Sequence, residues 1–139
     1  MIERVLVATD GSEMAERALE YALEVHPDAE ITVLYVAGEP SPMMGRALEM
    51  ALEDDIEEVA REQAEPIFES ARELAAERGV DIDTTVDVGS PAKSIVDRAE
   101  NFDAVVLGSH GGDLRSRLLM GNVAERVVRG SPVPVTVVR

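Results

Sequence analysis

Residues 104–128 read AVVLGSHGGDLRSRLLMGNVAERVV. The apolar run Ala104 to Leu107 suits a strand buried on both faces. It enters Gly108, Ser109, His110, Gly111 and Gly112, a turn with little side-chain bulk. Asn122 then stands at a helix start, with Glu125 three residues on and Val123, Val127 and Val128 behind it. Asn at the N-cap with a Glu following has the form of a capping box. Strand, glycine turn and helix make up most of a β-α-β unit, and the same alternation extends in both directions.

Toward the N-terminus, Val5 to Ala8 reads as a first buried strand. Ala15, Ala18, Leu19, Ala22 and Leu23 follow at helical spacing, with Glu16, Arg17, Glu20 and Glu24 on the opposite face. Ser12 is placed to cap that helix and His26-Pro27 to end it. Ile31 to Val36 is a second strand and Gly38 to Pro42 a loop. A long helix then carries Ile56, Val59, Ala60, Ala64, Ile67, Phe68, Ala71, Leu74 and Ala75 in phase. Pro66 falls on its wet side, where it kinks rather than ends the helix, and Gly79 terminates it. The third strand, Ile82 to Val88, alternates apolar and polar residues, as a sheet edge does. Ser90 and Pro91 open a helix with Ala92, Ile95, Val96 and Ala99 inward, and Val133 to Val138 is the last strand. Strands alternating with helices predict one α/β domain, an open five-stranded parallel sheet covered by helices on both faces.

Composition narrows the function. The 139 residues suit a single domain. With no cysteine, thiolate metal sites, redox thiols and disulfides are excluded. The N-terminal MIERVLVATDGS lacks the basic and apolar regions of a signal peptide, which predicts a cytoplasmic protein. The net charge of −15 argues against nucleic acid and anionic membrane as partners. Such an excess of carboxylates repels itself unless salt screens it, so the composition predicts a host with a salt-rich, halophilic interior. The charge is uneven: residues 1–111 hold 26 acids and 8 bases, residues 112–139 only 2 acids and 5 arginines.

Ligands of an open parallel sheet sit beyond the carboxyl ends of its strands, where the strand order reverses. The two wholly apolar strands, first and fourth, end in Thr9-Asp10-Gly11-Ser12 and in the glycine turn, so their tips are expected to be neighbours. Gly108, Gly111 and Gly121 are separated by two and nine residues. Glycines let backbone amides approach an anion, and a helix N-terminus offers free donors to phosphate. A capped helix after a turn that binds nothing has the same spacing, and spacing alone leaves both readings open.

Five blocks in order resemble the universal stress protein family: VLVATDGS, LYV, VGSPAKSIVDRA, the glycine pattern G-x2-G-x9-G, and SPVPVTVVR. The resemblance spans essentially the whole chain. It implies a Rossmann-like sheet of strand order 3-2-1-4-5 and an adenine nucleotide site for ATP, with any Mg or Mn carried by the phosphates. Asp10, beside Thr9, would lie near ribose and phosphates, and Ala8 and Val36 around the adenine. Gly108, Ser109, His110, Gly111 and Gly112 would wrap ribose and phosphates, and Gly121, Asn122 and Val123 would present amides to the phosphates. The strand Val133 to Val138 would pair two copies into a homodimer. Asn122 departs from the family's Ser/Thr; its amide can cap the helix and still donate to a phosphate oxygen.

Other residues read more plainly. His110 contributes backbone and shape; Arg115 and Arg117 either offset the acidic surface, the slightly favoured reading, or act as phosphate partners; and Met43, Met44 and Met50 belong to an amphipathic helical turn in preference to a mobile lid near the adenine. There is no P-loop lysine, no metal-spaced cluster and no visible general base. Three readings remain: a nucleotide-binding regulatory dimer, a nucleotide-free scaffold dimer, and a slow ATPase or self-phosphorylating protein.

Overall fold

The computed structural model describes residues 2–38, 53–110 and 121–139. Nine elements follow one another: β1 (Arg4–Thr9), α1 (Glu13–Val25), β2 (Glu30–Ala37), α2 (Glu53–Ala76), β3 (Asp83–Val88), α3 (Pro91–Ala99), β4 (Ala104–Gly108), α4 (Asn122–Gly130) and β5 (Val135–Val138). The sheet runs β3-β2-β1-β4-β5, and every pairing is parallel. This is the architecture expected from the alternation of strands and helices. β1 lies at the centre with β4 beside it, Val5, Leu6 and Val7 facing Ala104, Val105 and Val106.

Strand alternation divides the core in two. Val5, Val7 and Val106 join Leu19, Leu23, Phe68 and Ala71 under α1 and α2. Leu6, Val105 and Leu107 join Ile95, Ala99, Ala124 and Val127 under α3 and α4. The fully apolar strands are the ones covered on both sides, where burial stabilises each large side chain by about 1.5–3 kcal/mol. β3, at the edge, is buried nowhere along its length.

The caps explain most element boundaries. Ser12 Oγ accepts from the Ala15 amide at 3.2 Å and opens α1, while His26 is its C-cap. Ser90 opens α3 ahead of Pro91, whose missing N–H would have had no partner in the first turn. Gly79, at φ +70°, reverses the chain after α2. α2 continues through Pro66 as one element.

Four expectations differ in detail. β5 begins at Val135 rather than Val133, because Pro134 has no N–H to donate; its carbonyl still accepts from the Val105 amide at 2.9 Å. The cap of α4 is Gly121, with no side-chain bond, and Asn122 is the first helical residue. A capping box centred on Asn122 is therefore absent. Val59 and Val128 follow the apolar phase of their helices yet are 46% and 45% exposed.

Two polar contacts brace the sheet. Arg98 of α3 grips Asp87 of β3 with two hydrogen bonds, Nε to Oδ2 at 2.5 Å and Nη2 to Oδ1 at 2.6 Å. That bond to Asp87 also raises the Arg98 pKa. At the other end of the sheet, Asp103 accepts from the amides of Glu3 and Arg4 at 2.9 and 3.0 Å, which holds its carboxyl below the usual range.

Candidate functional site

The crevice forms where β1 and β4 end. After Thr9 the chain turns through Gly11, at φ +81°, and Asp10 Oδ1 accepts the Ser12 amide at 2.9 Å. Asp10 thus organises the start of α1 as well as standing at the crevice. After β4, Ser109 is buried and its amide donates to the Val138 carbonyl at 2.8 Å. Its own carbonyl accepts the Gly121 amide at 2.5 Å, which folds the chain back so that α4 starts beside the tip of β4.

A cavity of about 350 Å³ lies between these turns, within the size range of small-molecule sites. Ala8, Thr9, Asp10, Val36, Gly108, Ser109, His110, Gly121, Asn122 and Val123 all line it. Gly111 and Gly112 lie outside the described residues, as do Met43, Met44, Met50, Arg115 and Arg117. The loops expected to meet do meet. The apolar side of the cavity is formed by Leu34, Ile95, Leu107 and Ala124, each buried in the core under α3 and α4.

The glycines have distinct reasons. A Cβ on Gly121 would stand 3.1 Å from the Ser109 carbonyl oxygen and 3.2 Å from His110 Cα, so a side chain there would press on the very backbone to which the Gly121 amide bonds. A Cβ on Gly108 would stand 2.7 Å from Met14 Cγ and 3.2 Å from the Met14 backbone. Gly108 therefore serves the packing of α1 on β4 as well as lining the cavity, where the family resemblance had placed it against ribose and phosphates.

The donors at the crevice come from α4. Its first closing bond runs from the Glu125 amide to the Gly121 carbonyl at 3.0 Å. The amides of Asn122, Val123 and Ala124 precede that bond and have no acceptor within the helix. With the partial positive charge of the helix start, they form an anion-attracting wall. The Gly121 amide belongs to the turn instead. Among the described residues no group of three His, Cys, Asp or Glu is arranged to hold a metal ion.

Across residues 1–139 the chain matches the family model of the universal stress proteins. The chain belongs to the universal stress protein family. It is 34% identical over 143 residues to universal stress protein MJ0531 of Methanocaldococcus jannaschii, which covers 100% of this chain and 83% of that one. Its fold is similar to that of the solved hypothetical protein MJ0577, with a TM-score of 0.82, 30% identity, and coverage of 99% and 96%. It also resembles a universal stress protein solved in complex with cAMP, with a TM-score of 0.73 and coverage of 99% and 97%. At 24% identity that second likeness is one of fold alone.

Sequence reasoning missed part of this universal stress protein site. Ser12, Ala15, Pro91 and Ile95 also line the cavity. Ser12 had been assigned to capping and Ile95 to the core, and both descriptions hold. The signal that could have found Pro91 and Ile95 is topological: every strand-to-helix turn of a parallel sheet opens on the same carboxyl edge, including the one after β3. No helix among the described residues is long and apolar enough to cross a membrane.

Proposed function

We propose that this chain is a nucleotide-binding universal stress protein, a regulatory dimer that holds ATP in the crevice between the tips of β1 and β4. The observation that carries the reading is a cavity of about 350 Å³ that joins an apolar wall to three helix-start amides. A nucleotide has the same division, a flat base at one end and an anion at the other.

The residues fit the group. Ala8, Val36 and Ile95 would cover the faces of the adenine, and the amides of Asn122 and Val123 would receive phosphate oxygens. Gly121 lines the crevice beside those amides with no side chain of its own. Asp10 stands at the crevice as a carboxylate and suits a ribose hydroxyl or a cation carried by the phosphates. Bound ATP would supply the negative charge that the helix start attracts. The fold itself accommodates an adenine nucleotide in the protein solved with cAMP.

The sheet edge supports the dimer. β5 pairs only with β4 among the described residues, so its outer row of backbone groups is available to a second copy. The pairing would run through Val133 to Val138, consistent with Pro134 lying at an edge.

One observation favours a nucleotide-free scaffold dimer: the Gly121 amide is already engaged by the Ser109 carbonyl. Mass spectrometry of gently purified protein distinguishes the two. Co-purified adenylate in stoichiometric amount supports the nucleotide reading; its absence, together with no uptake from millimolar ATP, supports the scaffold.

A further inference from the structure

A second cleft lies on the opposite face of the sheet, between α1 and α2, and does not depend on the nucleotide reading. Its volume is about 230 Å³. Val7 and Val33 form its buried floor, and Ile67, Leu74 and Pro66 its helical wall. Gly11 approaches it so closely that a Cβ there would stand 3.0 Å from Ile67 Cδ1. Thr9 sits where the two sites adjoin, lining both.

Charge at this cleft is of one sign. Among the described residues lining it, Glu16 alone is ionisable. α1 carries four glutamates against one arginine, and α2 nine acids against two arginines. Two of those three arginines are taken: Arg17 pairs with Glu13 at 3.8 Å and Arg72 with Glu65 at 3.1 Å. An apolar floor beside the Glu16 carboxylate, on two helices of net negative charge, attracts an apolar body bearing a positive charge and repels its anionic counterpart.

We infer that the α1–α2 cleft is a binding site for small amphiphilic cations, aryl- or alkylamines of about eight non-hydrogen atoms at liquid-like packing. The apolar body lies on Val33, Ile67 and Leu74, and the ammonium group faces Glu16. Ser70, exposed on α2, stands at the mouth.

The test is a titration of the full chain with phenethylamine, followed by backbone amide NMR in 0.1 M salt, against phenethyl alcohol and phenylacetate as neutral and anionic controls. Saturable shifts are expected at Thr9, Gly11, Glu16, Ile67 and Ala71, with phenylacetate at least about tenfold weaker. Glu16→Gln should bring the amine down to the alcohol's affinity. Ser70→Leu, at an exposed helical position where leucine is well tolerated, should block the mouth and abolish the shifts while circular dichroism stays unchanged. Non-saturating shifts spread along both helices, equal binding of phenylacetate, or full binding to the Ser70→Leu protein would each overturn the assignment, as would no response at all.

Discussion

The Gly121 amide donates to the Ser109 carbonyl while the Ser109 amide donates to the Val138 carbonyl, so one peptide segment joins the start of α4 to the end of β5. The crevice and the outer strand of the sheet are thereby built on shared backbone. Gly121→Val should disturb the Ser109–Gly121 contact, since its Cβ would meet backbone atoms of Ser109 and His110 rather than a yielding side chain. Calorimetric titration should then show ATP binding lost, and circular dichroism should show the helices retained. Normal binding by that variant would mean the phosphates lie elsewhere.

Gly108 leads to a separate expectation. A methyl group there would overlap Met14 Cγ, so Gly108→Ala should lose about 1–3 kcal/mol in urea denaturation. Met14→Ala introduced into the same chain should restore part of that loss. If the double variant is no more stable than the sum of the two single effects predicts, the conflict with Met14 is not the cause.

The Arg98–Asp87 pair is bidentate but partly open to solvent, with side chains 38% and 23% exposed. Screening limits its worth, and a double-mutant cycle with Arg98→Ala and Asp87→Ala should give a coupling of about 1 kcal/mol. Arg98→Lys should recover less than half, because an ammonium group cannot reproduce the two parallel bonds.

Asp103 should contribute to the acid limb of stability. Its carboxyl is held below the usual range by the amides of Glu3 and Arg4. Its stabilising effect is then complete above the unfolded carboxylate range, near about pH 4, and is lost as the pH falls through the lower folded value. Asp103→Asn should flatten the stability profile below about pH 4 and lower the plateau at neutral pH. An acid limb that keeps its slope would assign it to other carboxylates.

With a net charge of −15, the chain should melt higher in molar KCl than in dilute buffer, since screening relieves repulsion among its carboxylates. A melting temperature that stays level or falls would argue against a salt-adapted protein.

Much of the fold was legible because burial and period agree. β1 and β4 are unbroken apolar runs and lie at or beside the centre; β3 alternates and lies at the edge. Caps were legible where a side chain makes the bond, as at Ser12 and Ser90, and misread where it does not, as at Gly121. The meeting of the two loops followed from β1 and β4 being adjacent. The reason for Gly108 was hidden, since the approach of Met14 comes from tertiary packing and leaves no local pattern. For the same reason Ile95, in phase with a helical core, gave no sign that it also walls the crevice.

The most direct test of the central claim is the melting temperature of the wild-type chain at increasing ATP. At a ligand concentration one hundred times the dissociation constant, binding adds about 2.7 kcal/mol, a rise of roughly 10 °C for a domain of this size. A saturable rise with ATP, absent in the Gly121→Val protein, is the predicted result. A melting temperature indifferent to ATP at every concentration would contradict the account.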